Sequence, residues 1–148
     1  MAYYRSKPLF WTVVALRVIV GGVFAYAGYL KLSEPWALFA MGIDSYHLLP
    51  YNLVVLAART LPAAEVAIGL WLLVGFWPRI PSTVISLLLM VFFSAMVHAK
   101  MAGQKIDCGC FGPGDPISKW TLLRDGSLLA ASLLVTWFAF RRSPKTLA

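Results

Sequence analysis

Charge is what this chain has least of. Only 13% of its 148 residues are charged, where a soluble domain carries roughly a quarter. Hydrophobic residues make up 60%, an excess that so small a globule cannot hide, because a small domain leaves much of its surface in water. A soluble domain is thereby excluded, and the chain reads as an integral membrane protein. Cysteine is scarcer still. Cys108 and Cys110 are the only two, so any thiol chemistry must come from one pair. No segment alternates apolar and polar residues in the manner of a barrel strand, which argues against a β-barrel. No small-residue cleavage site with a polar follow-on is evident, so the first apolar stretch is expected to be a retained helix. Internal repeats and low-complexity segments are also absent. Basic residues outnumber acidic ones, 13 to 6, for a net charge of +7. They sit in short connections and at the ends, where they orient helices. No nucleic-acid partner is expected.

What is present is four long apolar stretches, at about 9–30, 53–76, 80–99 and 122–140. Each is long enough to span a bilayer. The expected fold is all-α: one membrane domain over 1–148, a four-helix bundle in lipid, with short interfacial helices in the first and third connections. Pro35 and Pro50 interrupt the connection after the first span, leaving room for a short amphipathic helix between them. Asp115 followed by Pro116 resembles an N-cap and first-turn proline. Gly21, Ala25 and Gly28 give the first span a small-residue face suited to close helix contact. Trp11, Trp36, Trp77, Trp120 and Trp137 fall near predicted helix ends, as interfacial belts require. With both termini cytoplasmic, the inner side holds Arg5, Lys7, Arg79, Arg141, Arg142 and Lys145, densely placed in short segments. The loop 100–121, with both cysteines, then faces the extracytoplasmic compartment, where disulfide chemistry is normal.

Two thiols at i and i+2 in a Gly/Pro-rich loop suggest a redox pair, a soft-metal ligand pair or a permanent disulfide. Gly109 supplies backbone freedom for a small ring. Such a ring is strained, and strained exposed disulfides are the reducible ones. As a permanent crosslink it would add little, because closing so small a loop removes little chain entropy. Arg17 and Glu65 are ionisable residues placed well inside their spans. Counting ~1.5 Å per residue from the inner ends puts them about 12 Å and about 16 Å deep. They are expected to form a buried ion pair, or to line a quinone pocket or proton path, with Pro62 and Gly69 opening room beside Glu65. His98 is either a base for the thiols or an interfacial anchor. Lys31, Lys105 and Asp107 are further candidates to tune the thiols.

The order of motifs carries a resemblance. Arg17, the run Gly21–Gly22 to Gly28 ending in Lys31, then Tyr46, Leu49–Pro50, Leu61–Pro62, Glu65 and Gly69 precede Cys108–Gly109–Cys110–Phe111–Gly112, with Trp120 and Arg124 downstream. The chain resembles the MauE family (methylamine utilisation protein E), a branch of the DoxX-like four-helix membrane proteins, from about Arg17 to Arg124. The resemblance implies a location in a bacterial-type inner membrane and thiol–disulfide oxidoreductase work with an extracytoplasmic thioredoxin-like partner. It also implies a link to membrane quinone, with Cys108 and Cys110 as the catalytic pair. Arg17, Lys31, Glu65, His98, Asp107 and Trp120 would support that pair, and Arg17 and Glu65 are the candidates beside a quinone. Unlike membrane proteins of the DsbB and vitamin K epoxide reductase types, this chain has one cysteine pair rather than two. The rivals are a mercury or copper carrier using the same thiolates and a non-catalytic assembly subunit. Against the carrier, no cysteine or methionine pair lies inside a span to pass an ion onward.

Overall fold

The computed structural model describes residues 7–111 and 114–141. Arg5, Gly112, Arg142 and Lys145 lie outside them. The fold is all-α, with α1 Lys7–Ser33, α2 Trp36–Asp44, α3 Tyr51–Val74, α4 Arg79–Met101 and α5 Lys119–Arg141. The described residues contain no strand. Four of the helices, α1, α3, α4 and α5, are long and apolar enough to cross a membrane. The short α2 occupies the stretch between Pro35 and Pro50, where an interfacial helix is expected.

Prolines punctuate the chain where a helix needs no N–H. Pro35, Pro50 and Pro78 are the N-cap residues of α2, α3 and α4. Gly75, left-handed at φ 80°, ends α3. Ser118, not Asp115, caps α5. Its Oγ accepts from the Thr121 N–H at 3.2 Å, and Thr121 Oγ1 accepts from the Ser118 N–H at 2.6 Å, a reciprocal box. The described part of the third connection holds no helix, contrary to expectation. It folds back on itself through an antiparallel bridge between Asp107 and Pro116. The Cys108 N–H donates to the Asp115 carbonyl at 2.7 Å, and the Ile117 N–H to the Ile106 carbonyl at 3.0 Å. Gly109 and Gly114, at φ 74° and 86°, turn the chain where a helix would have to continue.

Lipid tails are as apolar as leucine, so close packing and hydrogen bonds must hold the bundle. The small-residue face of α1 does this against α3. A Cβ added at Gly28 would lie 2.7 Å from the Pro62 carbonyl oxygen and 2.8 Å from Val66 Cγ2. Gly69 meets Ala25 and Gly21 just as closely, so the room expected beside Glu65 at Gly69 is filled by α1. Between α4 and α5, Ser86 Oγ donates to Ser132 Oγ at 3.2 Å and lies 3.0 Å from Thr136 Oγ1. Val20, Phe24, Leu72, Ile85, Leu89 and Val135 form the core. Phe39 and Ala40 seat α2 on Val54 and Ala58 of α3. All five tryptophans near the helix ends are outward-facing, Trp120 at 73% exposure and Trp11 at 67%.

Candidate thiol site

The cysteine loop closes one end of the bundle. Cys108 is buried among Met96 and Ala99 of α4 and Ile117, with Tyr46, Ile106 and Leu122 around them. Tyr46, in the connection after α2, ties the loop down. Its hydroxyl donates to the Cys108 carbonyl at 2.9 Å and to the Asp107 carbonyl at 3.3 Å. The positive φ of Gly109 turns the chain so that the Cys110 N–H donates to Cys108 Sγ at 3.3 Å. Both thiols are free, and they differ in access. Cys108 is 4% exposed, whereas Cys110 is half-buried.

The first turns of α5 supply the charges. Asp125 is buried, and its Oδ2 accepts from the Cys108 thiol at 3.6 Å. Arg124 Nε donates to Asp125 Oδ1 at 3.1 Å, and Nη2 lies 2.9 Å from Asp115 Oδ2 and 3.6 Å from Cys108 Sγ. The guanidinium also lies over the Phe111 ring, 4.4 Å from its centroid. These contacts draw Arg124 across the cysteine pair and hold the loop against α5.

The two thiols differ in acidity. The Cys108 thiol is pulled below its ordinary value, chiefly because the Cys110 thiol donates to it. Burial, Asp125 and Asp115 work against that pull. Cys110 is pushed far up, first because it holds the proton of that bond and then by burial. Burial, followed by the two thiols, pushes up the Tyr46 hydroxyl as well, so it remains a donor. Cys108 is thus the more acidic thiol of the pair and Cys110 the less acidic. Ligand atoms of Cys108, Cys110 and Asp125 all lie within 4.8 Å of one another, compact enough for one soft ion. The guanidinium 3.6 Å from Cys108 Sγ already occupies that space with positive charge, so the cluster fits a thiol site better than a cation site.

The other expected site residues scatter. Arg17 and Glu65 do not pair. Glu65 takes Lys31 instead, with Nζ 2.8 Å from both carboxylate oxygens and both residues buried. Phe39 and Phe92 lie under the same ammonium, at 5.0 and 5.5 Å. The depth count fails because Gly28 packs at Pro62 and Gly21 at Gly69, which puts Arg17 beside Gly75 at the far end of α3. There its charge meets the negative end of a helix. Arg17 and Glu65 therefore lie at different levels of the bundle. Lys31 belongs to the last turn of α1 rather than to a connection. It reaches the thiol site across a cavity of about 20 Å³ that Lys31, Glu65, Cys110 and Asp125 all line. His98 is exposed, on the face of α4 away from the buried Met96 and Ala99 that cover Cys108. Asp107 closes the loop, accepting from the Gly114 N–H at 2.9 Å. Trp120 points outward.

Asp125 is the residue that sequence reasoning missed. The signal was present: it lies inside the fourth apolar stretch, 122–140, as Glu65 lies inside the second.

The family profile described as "Methylamine utilisation protein MauE" matches residues 9–138. The chain belongs to the MauE family. The matched region takes in the whole thiol site and the Lys31–Glu65 pair. A MauE protein of Paracoccus denitrificans, "Methylamine utilization protein MauE", is 29% identical over 138 residues, which cover 91% of this chain and 73% of that relative. No solved structure matches the chain significantly. MauE membership together with the four apolar helices makes the chain a multi-pass membrane protein.

Proposed function

We propose that this MauE-family chain is a membrane thiol–disulfide oxidoreductase serving methylamine utilisation, which exchanges electrons between its Cys108–Cys110 pair and an extracytoplasmic thioredoxin-like partner. The observation that carries the reading is the asymmetry of the pair. Cys110, the less buried of the two residues, is the one a partner's thiolate can attack. The buried sulfur, Cys108, is the one that receives hydrogen bonds from the Cys110 N–H and from Arg124, and a stabilised thiolate leaves faster. The partner sulfur bonds to Cys110, the Cys108–Cys110 bond breaks, and the electron pair stays on Cys108. The partner's second thiol then displaces Cys110. The partner leaves oxidised by two electrons, and the pair is left reduced. Both termini face the cytoplasm of a bacterial-type inner membrane, and the loop faces outward. A membrane quinone is the acceptor class that would reoxidise the pair. Its fit rests on a groove of about 350 Å³ where Leu38, Phe39 and Met41 of α2 and Ile106 meet the charged Lys31, Glu34, Lys105 and Asp107, and which reaches Gly109 between the two cysteines.

The test is covalent trapping. In intact cells, Cys108→Ser should hold a thioredoxin-like protein at Cys110 in a complex that reductant releases, and Cys110→Ser should hold much less. A membrane-impermeant thiol reagent should reach Cys110 in reduced, intact cells. A wild-type pair that is never found oxidised, or that binds a soft metal tightly, would replace this reading with the metal one.

A further inference from the structure

Asp125 takes no part in the sulfur exchange itself, yet its carboxylate touches the buried sulfur. We infer that Asp125 is the proton partner of Cys108: it takes the proton when Cys108 attacks and returns it when Cys108 leaves. The inference rests on the thiol–disulfide reading.

Three features of the geometry carry it. Cys108 and Asp125 are each 4% exposed, so bulk water cannot collect a proton directly from this sulfur. Oδ2 lies 3.6 Å from Sγ, within reach of an S–H···O bond. Among the described residues Asp125 is the acid whose carboxylate reaches Cys108 Sγ, whereas Asp115 pairs with Arg124, Asp107 accepts from the Gly114 N–H, and Glu65 holds Lys31. Arg124 makes the transfer electrically easy. Its Nε anchors Oδ1, while Nη2 lies 3.5 Å from Oδ2 and 3.6 Å from Sγ. Negative charge can then pass between oxygen and sulfur beneath one fixed cation. The groups facing this exchange from other elements are Cys110 and Asp115 of the loop, Tyr46, and Lys31 with Glu65 across the small cavity. From α4 only the apolar Leu89 and Phe92 line that cavity.

The step balances with a partner disulfide as oxidant. The Cys110 thiol loses its proton to solvent and attacks the partner disulfide, so a partner–Cys110 bond forms and one partner sulfur leaves as a thiolate. Cys108 passes its proton to Asp125 and attacks Cys110 Sγ. The Cys108–Cys110 bond forms, the partner–Cys110 bond breaks, and the partner's second sulfur leaves with the electron pair. The partner gains two electrons and the pair loses two. Asp125 returns its proton to Cys108 when the pair is next reduced.

The experiment follows the proton in the purified full chain. Thiolate absorbance is titrated in Cys110→Ala with and without Asp125→Asn, and the pH profile of exchange with glutathione disulfide is measured in the wild type and in Asp125→Asn. Removing the carboxylate charge should move the Cys108 thiolate to lower pH. The wild-type profile should fall in two steps, as for a coupled pair, and the Asp125→Asn profile in one. An unmoved titration, or identical profiles, overturns the inference. If Asp125→Asn does not fold, infrared spectra of the reduced wild type decide. A protonated-carboxyl band that rises with the thiolate and is missing in Cys108→Ala supports the inference, and its absence from the wild type refutes it. A wild type that exchanges with no disulfide overturns the function itself, and that failure is seen before any variant is compared.

Discussion

Breaking the Lys31–Glu65 pair one side at a time should cost far more than removing both partners. Nζ lies 2.8 Å from each carboxylate oxygen. At an effective dielectric of about 20, that separation gives an attraction of roughly 6 kcal/mol. Against it stands the cost of withdrawing both ions from water, several kcal/mol each, so the pair itself contributes little net stability. One ion left alone in that site has the desolvation cost and no partner. Glu65→Gln or Lys31→Met should therefore each destabilise by about 3–5 kcal/mol. The double variant should lose less than either single change, so the coupling is at least about 3 kcal/mol. Phe39 and Phe92 beneath the ammonium hold part of the Lys31 contribution outside the coupling. The assay is reversible unfolding in mixed micelles with increasing denaturing detergent, followed by far-ultraviolet circular dichroism. Strict additivity of the two changes would refute the reasoning. Arg17→Gln is the control. Because Arg17 lies beside Gly75, its effect should add to that of Glu65→Gln within about 0.5 kcal/mol.

Gly28→Val should destabilise the α1–α3 contact by about 1–3 kcal/mol, because the new Cβ would lie 2.7 Å from a backbone oxygen that cannot move aside; the same unfolding measurement reads it, and a neutral result would mean that the helices pack elsewhere. The Cys108 thiolate, held below the ordinary range mainly by the Cys110 thiol, should form at higher pH in Cys110→Ala, since the donor is gone while burial and the Asp125 charge remain; thiolate absorbance against pH checks it, and a downward shift would show that Cys110 does not donate to Cys108.

The helices were legible because each one carries its own signal. Length, apolarity and the prolines at 35, 50 and 78 mark where helices run and stop. The face Gly21–Ala25–Gly28 announced close packing, but the sequence does not say at what register. Register is what decided the ion pair. Counting depth from helix ends assumes that the ends are level, whereas Gly28 seated on Pro62 fixes the offset and brings Lys31, not Arg17, to Glu65. A lysine has the reach for this, since its stem can lie along apolar surface while its ammonium travels to a partner. The third connection misled for a related reason. Asp115–Pro116 is a helix start by local pattern, but the bridge to Asp107 and the ion pair to Arg124 claim both residues for the loop.

A chain with one cysteine pair must obtain from position what two-pair proteins obtain from number. Exchange needs an accessible sulfur to be attacked and a stabilised sulfur to leave. Here the two roles lie one residue apart on either side of Gly109. The turn at Gly109 aims the Cys110 N–H at Cys108 Sγ, and the Tyr46 hydroxyl holds the Cys108 carbonyl. Met96, Ala99 and Ile117 cover Cys108, while Cys110 stays less buried beside Phe111. Arg124 supplies one positive charge within reach of Cys108, Asp115 and Asp125 together. Stabilising the thiolate of the reduced pair makes its disulfide a stronger oxidant. On the proposed function, that stabilisation suits electron flow from the partner into this pair.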